Sequence, residues 1–565
     1  MRTRSLRYLL WSVGLFAGLV IAAQCLGSEQ PATASAKRLV VPDDHATVQD
    51  AILAANAGDT VFIKTGTYHE AIDLKSGIKL VGEQMDKVTL QFGESKSVIT
   101  VKDCNDVSIS GLTVRHMTTS RGLGRNAGIA VNNSTVVVAH CRITEAAGSG
   151  VDIANKANAT IDSCTIDGNG GRGIEAGKDS IAVIRACEVT RNAVLGIVLI
   201  GRQTRGTVRY CRITESKFAG LGFWLGASGT AEENDIEGNE VGIEVRDTCQ
   251  DVVLSKNHCH DNKRDGIRIF ADANARAEQN LCEENAGRGI TICGKKTMAT
   301  LQQNRCLKNG EYGILVYLDG AGVLTGNECA RNKKDGIYIS ETAREIKVEG
   351  NACRENQQTG ISLYDTGSVV IANNDCQSNM RHGIYVCKTA SMVTAEKNRC
   401  MSNQDDGIVF ASETQSTVQN NTCSQNGKCG IMFIKGARGL ARANACESNH
   451  CPGISVEDPN TVVTLRKNSC TANNDSGILF LNVVDSKAES NFCLGNLWSG
   501  IAVRGEKSKP TLTANHCNDN GAWGIISWAG ADPNVAADNE TLDNWKGGVK
   551  HRPPSDEQTA TARQI

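Results

Sequence analysis

Twelve cysteines, Cys259, Cys282, Cys306, Cys329, Cys353, Cys376, Cys400, Cys423, Cys446, Cys470, Cys493 and Cys517, recur every 23 or 24 residues. Almost all sit in the same unit, N-x-C-x-x-N-x-x-x-G-I. In one copy Asn257 precedes Cys259, and Asn262, Gly266 and Ile267 follow; in another the set is Asn398, Cys400, Asn403, Gly407 and Ile408. A fixed period with no helical spacing inside it means that each period is one coil of a stack, with equivalent residues above one another. Few other folds accept such a chain.

Each period reads as three short strands. The first is the Gly-Ile strand, with Ile267 and Ile269 inward and Arg268 outward; the second precedes the first Asn; the third carries the Cys. Alternation along each strand assigns the faces. The expected fold class is therefore all-β, a single-stranded parallel β-helix, or solenoid. The Asn columns, such as Asn280, Asn304 and Asn327, are expected to form amide ladders. The Gly before each Ile is expected to mark a bend with positive φ. In the early coils Cys141, Cys164, Cys187 and Cys211 fall where later coils have Asn, and Ile143, Ile166, Val189, Ile213 and Ile236 fall where later coils have Cys. Two segments of different core chemistry should thus meet between Ile236 and Cys259.

At the N-terminal end, Thr47–Ala57 has helical spacing at Val48, Ala51, Ile52 and Ala55, with a capping box in Thr47 and Asp50. This predicts a capping helix over the open end of the stack. Residues 1–27 read as a signal peptide, with Arg2, Arg4 and Arg7 before an apolar run from Tyr8 to Ala23. Residues 28–40 read as a linker, 41–550 as a solenoid of about twenty coils, about 95 Å long at 4.8 Å per coil, and 551–565 as a disordered tail. The expected location is secreted or periplasmic, with no stable membrane span after cleavage. A net charge of −2 with interspersed signs argues against a general nucleic-acid partner.

An exported chain with 23 cysteines would ordinarily be rich in disulfides. Stacked coils, however, place equivalent side chains about 4.8 Å apart and parallel, whereas a disulfide wants its Cβ atoms near 3.8 Å. The twelve are expected to be a reduced core column. Nor can a straight column surround a tetrahedral zinc ion.

The stretch TVQDAILAANAGDTVFIKTGTYHEAIDL, followed by the repeats, resembles the pectin lyase-like right-handed parallel β-helix superfamily. Within it the likeness is to carbohydrate-binding and sugar-hydrolase repeat modules and to periplasmic NosD-like proteins. The resemblance implies a right-handed coil and a ligand on the outer face of the Gly-Ile sheet. The DPH run of alginate epimerases and the paired aspartates of polygalacturonases are missing from this sequence.

Irregularities in the repeat supply the candidate site residues. The insertion RHMTTSRGLGRNA adjoins outward Asp152 and Glu175, a carboxylate pair close enough to divide acid and base roles; His116, Arg121 and Arg125, with Arg115, Arg172 and Lys178 nearby, could hold an acidic sugar. Tyr317, Tyr338, Tyr364 and Tyr385 fall outward on four consecutive coils and read as one column, with His382, Asp319, Asp335 and Asp365 on flanking turns. Tyrosine faces stack on sugar rings, and Tyr338 or Tyr385 with His382 could exchange a proton beside a carboxylate. Cys429 and Cys451 are the disulfide candidate; with His450 they are the alternative set for a soft metal. Val409, Met432, Leu479, Leu481, Ile526, Trp528, Trp498 and Trp523 read as an exposed apolar stripe. No cofactor is evident. The partner is expected to be an acidic polysaccharide, bound and, if the protein is an enzyme, cleaved or epimerised; the alternatives are a non-catalytic scaffold contacting an extracytoplasmic protein, or a NosD-like metal-site maturation factor.

Overall fold

The computed structural model describes residues 35–551 except 119, 343, 345, 390 and 391. The expected signal peptide, most of the expected linker and the expected tail beyond 551 lie outside the described residues.

Every period supplies three strands, as its alternation requires. In one coil these are Ile267–Phe270, Asn274–Glu278 and Leu281–Glu283. Each pairs in parallel with its equivalent one period away, which generates three ladders running the length of the molecule: the Gly-Ile sheet, a linking sheet and the cysteine sheet. The linking sheet is the longest, with 22 strands, against the twenty or so coils expected. It opens at Arg38–Val41, inside the expected linker, and the last strand of the Gly-Ile sheet is Gly547–His551. The only described helix, Val48–Ala54, is shorter than the sequence pattern implied, because Asn56 to Asp59 forms a turn closed by the Asn56 N–H on Oδ2 of Asp59. Its apolar face, Val48, Ala51 and Ile52, is buried. Thr47 accepts from the Asp50 N–H at 3.1 Å, and the two oxygens of Glu70 accept from Val48 N and Gln49 N at 2.9 Å each. No helix among the described residues is long and apolar enough to cross a membrane.

The core is a set of columns. Cys259 pairs with Cys282, Cys282 with Cys306, and so on to Cys470 with Cys493, in continuation of Ile213 and Ile236. The cysteines of this column are 0 % exposed and unbridged. Burial pushes the Cys306, Cys400 and Cys446 thiols well above the ordinary range. In the folded protein the column should therefore react with a thiol reagent only as fast as coils open, with Cys451 first to label. Labelling followed by peptide mass spectrometry checks this; rung-to-rung disulfides, or rapid labelling of Cys353, would overturn it.

Two asparagine ladders flank the cysteines. Nδ2 of Asn257 donates to Oδ1 of Asn280 at 2.9 Å and to the Ala231 carbonyl at 2.9 Å, and the Asn257 N–H donates to the same Oδ1 at 2.9 Å. This ladder runs from Asn234 to Asn539, and the parallel one from Asn239 to Asn544. Buried amides are thereby satisfied by their own copies in the next coil. The residue before every ladder Asn except Asn539 turns the chain in the left-handed region: Lys256 has φ 53°, Asp261 51°, Gln279 54° and Glu284 54°.

That observation corrects the reading of the repeated glycine. None of Gly266, Gly336 or Gly360 has a positive φ. A Cβ on Gly266 would instead lie 2.8 Å from the Gly289 carbonyl oxygen, 3.0 Å from Nδ2 of Asn285 and 3.0 Å from Cβ of Cys282. The motif is thus one packed corner, in which Gly is small because the Asn and Cys of the next coil fill the space.

Candidate functional site

On the Gly-Ile sheet the inward residues are mostly Ile, Leu, Val or Phe, with Phe410 and Phe433 stacked at 5.5 Å, and the outward ones form two columns. The first runs Leu315, Tyr338, Ser362, Tyr385, Val409. The second, two residues on, includes Tyr317 opposite Cys293 and Tyr364 opposite Ser340 and Cys387. The four tyrosines are therefore not one column, as the spacing led us to expect. They alternate between two, because Tyr338 and Tyr385 stand two residues after the repeated Gly, at Gly336 and Gly383, whereas Tyr317 and Tyr364 stand four after it, at Gly313 and Gly360.

The alternation builds a slot. Tyr338 and Tyr385 stand two coils apart, about 9.6 Å at 4.8 Å per coil, with the small, buried Ser362 between them. Tyr338 is braced by Tyr312, ring centroids 4.9 Å apart, and Tyr385 by His382, centroids 5.3 Å apart and planes at 22°. The resulting cleft of about 190 Å³ is lined by Tyr338, Tyr385, His382, Tyr364, Arg381 and Asp335, among others. Tyr364 accepts from Nζ of Lys388 at 2.8 Å. Tyr317 lies on a neighbouring coil outside this lining, and Asp319, on a turn with φ 61°, and Asp365, near the end of the strand Ile361–Thr366 with φ 53°, are also outside it.

Electrostatics divide the lining into donors and acceptors. Burial raises the Tyr385 and Tyr312 phenols to about 12, and raises Tyr338 as well, so all three carry their protons at neutral pH. Burial likewise lifts the Asp335 carboxyl to about 6, although it accepts from the Thr359 N–H at 2.7 Å. Nδ1 of His382 lies 3.2 Å from Oδ2 of Asp406, which orients the ring and leaves Nε2 on the other side, 4.0 Å from Asp405. Asp335 and Asp406 hold equivalent places before the Gly-Ile strand, each capping a backbone N–H of the next coil.

The insertion behaves differently from an exposed binding loop. His116 is 2 % exposed: it meets the Lys96 carbonyl through Nε2 at 3.0 Å and accepts from the Ala147 N–H on Nδ1 at 3.0 Å. It is a neutral bridge fastening the insertion to the scaffold, and burial lowers its pKa; no face remains for substrate. Arg115 and Arg121 turn to Glu145, at 3.7 and 3.8 Å, and Arg125 is exposed. Asp152 and Glu175 do pair in register, and burial, with Glu175 beside it, raises Asp152 to about 6. Glu175 is held by Arg172 at 2.5 Å.

Cys429 is buried against the half-exposed Cys451 as a free thiol, whereas His450 is exposed and turned to Asn474. This trio does not gather around one point; among the described residues only Asp235, His258 and His260 do. The apolar stripe is less open than its sequence implies, since Val409 is 3 % and Ile526 2 % exposed; Trp498, at 42 %, meets Trp528 edge-on at 5.5 Å.

Sequence reasoning missed Tyr312, Ser362, Arg381 and Asp406, all of which follow once coils are aligned on Gly-Ile. It also missed His258 and His260, whose alternation around Cys259 was a visible signal.

Fold and site together define a right-handed β-helix with an aromatic cleft on its outer face. The chain belongs to the family described as "Right handed beta helix region", whose profile matches residues 97–249, 198–306, 292–440 and 412–552. Solved structures of similar coil architecture include an exopolygalacturonase of family 28 from Yersinia enterocolitica (11 % identity, 60 % of this chain and 78 % of that one, TM-score 0.35). A periplasmic alginate epimerase (12 %, 66 % and 78 %, 0.28) and the N-terminal fragment of bacteriophage Phi29 gene product 12 (11 %, 89 % and 90 %, 0.40) are others. A comparison with curated protein sequences gives no match. The site chemistry rests on this chain's own residues.

Proposed function

We propose that this is an exported β-helix protein that binds an acidic polysaccharide in the cleft between Tyr338 and Tyr385. The observation that carries the reading is the slot itself: two braced aromatic rings two coils apart, a serine floor and a cation, Arg381, at the rim. Sugar rings stack on such faces, phenols that keep their protons donate to hydroxyls, and a guanidinium matches a uronate carboxylate. Catalysis is the extension of the same reading. His382, oriented by Asp406, would take the proton from the carbon beside the carboxylate, and Tyr338 or Tyr385 would return one to the ring or to the leaving oxygen. Asp152 with Glu175 is a second, separate carboxylate pair available to an acid–base step.

Screening the protein against uronate-containing glycans, followed by calorimetry, tests the proposal. The double variant Tyr338→Ala, Tyr385→Ala should lose about 1–3 kcal/mol of binding with an unchanged unfolding curve, since both side chains lie outside the coil. Equal binding by the double variant would remove the cleft from consideration. An enzyme using His382 should keep its affinity and lose its unsaturated or epimerised product in His382→Ala.

A second reading, a non-catalytic scaffold, is favoured by the last coil, where Leu542, Trp545 and Val549 are 56, 81 and 46 % exposed.

A further inference from the structure

Where the aliphatic column gives way to cysteine, the strand His258–His260 reads His-Cys-His. Alternation sends Cys259 into the core and both imidazoles to the outer face of the cysteine sheet. The preceding strand, Asp235–Glu237, pairs Asp235 with His258 and Glu237 with His260. One carboxylate oxygen, Oδ1 of Asp235, consequently lies 3.0 Å from Nε2 of His260 and 3.6 Å from Nδ1 of His258. The donor atoms of the three residues all fall within 4.8 Å of one another.

The other nitrogen of each ring is occupied. Nε2 of His258 lies 2.9 Å from Oε1 of Glu283, and Nδ1 of His260 lies 2.8 Å from Oδ2 of Asp261. Since a carboxylate only accepts, Nε2 of His258 and Nδ1 of His260 donate outward to Glu283 and Asp261; Nδ1 of His258 and Nε2 of His260 face Asp235, and once the proton that Nε2 of His260 shares with Asp235 is displaced, both present a lone pair there. The second carboxylate oxygen of Asp235 is held by Arg212, which also bridges to Glu237. Three electron-pair donors therefore face one another, each locked by an outer partner. Carboxylate–histidine pairs of this kind orient the ligands of metal ions.

We propose that Asp235, His258 and His260 bind a divalent transition-metal ion of the zinc class. Bonds of about 2.0–2.1 Å in a tetrahedral site set donors about 3.3 Å apart, between the two distances found here. Three protein ligands leave a fourth position for water or an anion, and the mixed nitrogen and oxygen set suits zinc, nickel or copper(II) over calcium or magnesium. The side chains of His258, His260 and Asp235 are 38, 17 and 36 % exposed, so an ion can reach them. The cysteine thiols beneath are buried and do not compete in the folded protein.

The test is calorimetric titration of the chelator-stripped full chain with Zn2+, together with the absorption spectrum of its Co2+ form. We expect one equivalent bound and a cobalt spectrum without a thiolate charge-transfer band. His258→Ala or His260→Ala should weaken binding more than about 100-fold, and Glu283→Gln by about 10- to 100-fold, at unchanged urea unfolding. Absence of binding, a thiolate band, or equal affinity in the double histidine variant would each overturn the assignment.

Discussion

Replacing Asn356 by alanine is expected to lower the stability of the coil stack by about 3–5 kcal/mol, more than any surface substitution. Asn356 is 0 % exposed and stands mid-ladder. Its Nδ2 donates to the Cys329 carbonyl at 2.9 Å and to Oδ1 of Asn379 at 3.0 Å. Its Oδ1 accepts from the backbone N–H of Asn332 at 3.1 Å and from Nδ2 of Asn332 at 3.0 Å. Four hydrogen bonds at about 1 kcal/mol each are lost, and the Asn332 N–H is left buried without a partner, which adds its desolvation. Water cannot repair this inside a closed corner. The exposed Asn373, one residue before the next ladder position with φ 56°, is the control: its replacement should change stability by no more than about 1 kcal/mol. Urea unfolding followed by far-ultraviolet circular dichroism gives both numbers, and equal losses would mean that the ladder is not what holds the coils.

The second large effect concerns Gly360. An alanine Cβ there would sit 2.6 Å from the Gly383 carbonyl oxygen, 3.0 Å from Nδ2 of Asn379 and 3.1 Å from Cβ of Cys376. Two of these contacts belong to the backbone and the ladder, neither of which can rotate away. Gly360→Ala should therefore cost about 2–3 kcal/mol through coil separation, and Gly360→Asn more. Gly350 provides the contrast. It has φ 65°, and its nearest neighbour to an added Cβ is Gly326 N at 3.9 Å, so Gly350→Asn should be nearly neutral. Should asparagine be tolerated at 360 and harmful at 350, close approach would be the wrong explanation for the Gly-Ile column.

Much of the architecture was legible before any coordinates. The period of 23 or 24 residues marks each coil, and alternation within Ile267–Phe270 assigns its faces. The Asn columns follow because identical amides one coil apart can satisfy one another. The change of core chemistry at Ile236 and Cys259 is where alignment on Gly-Ile located it. The reason for the repeated glycine was not legible: a φ requirement and a close contact leave the same letter in a sequence, and only the position of the next coil separates them.

The candidate site divides in the same way. That Tyr338 and Tyr385 point outward and flank Ser362 follows from the strand period once coils are aligned on Gly-Ile, but the bracing of their rings by Tyr312 and His382 as walls of a slot depends on side-chain direction. His116, on a variable insertion, had every local mark of an exposed residue, yet the insertion folds back and buries it between Lys96 and Ala147. The sequence by itself determined the coil, its inward and outward residues and the columns that hold it, because a solenoid repeats one local rule in which neighbours along the axis are one period apart. Tertiary structure alone decided how outward side chains close around a cleft or around Asp235, because those contacts depend on side-chain direction and burial, neither of which is periodic.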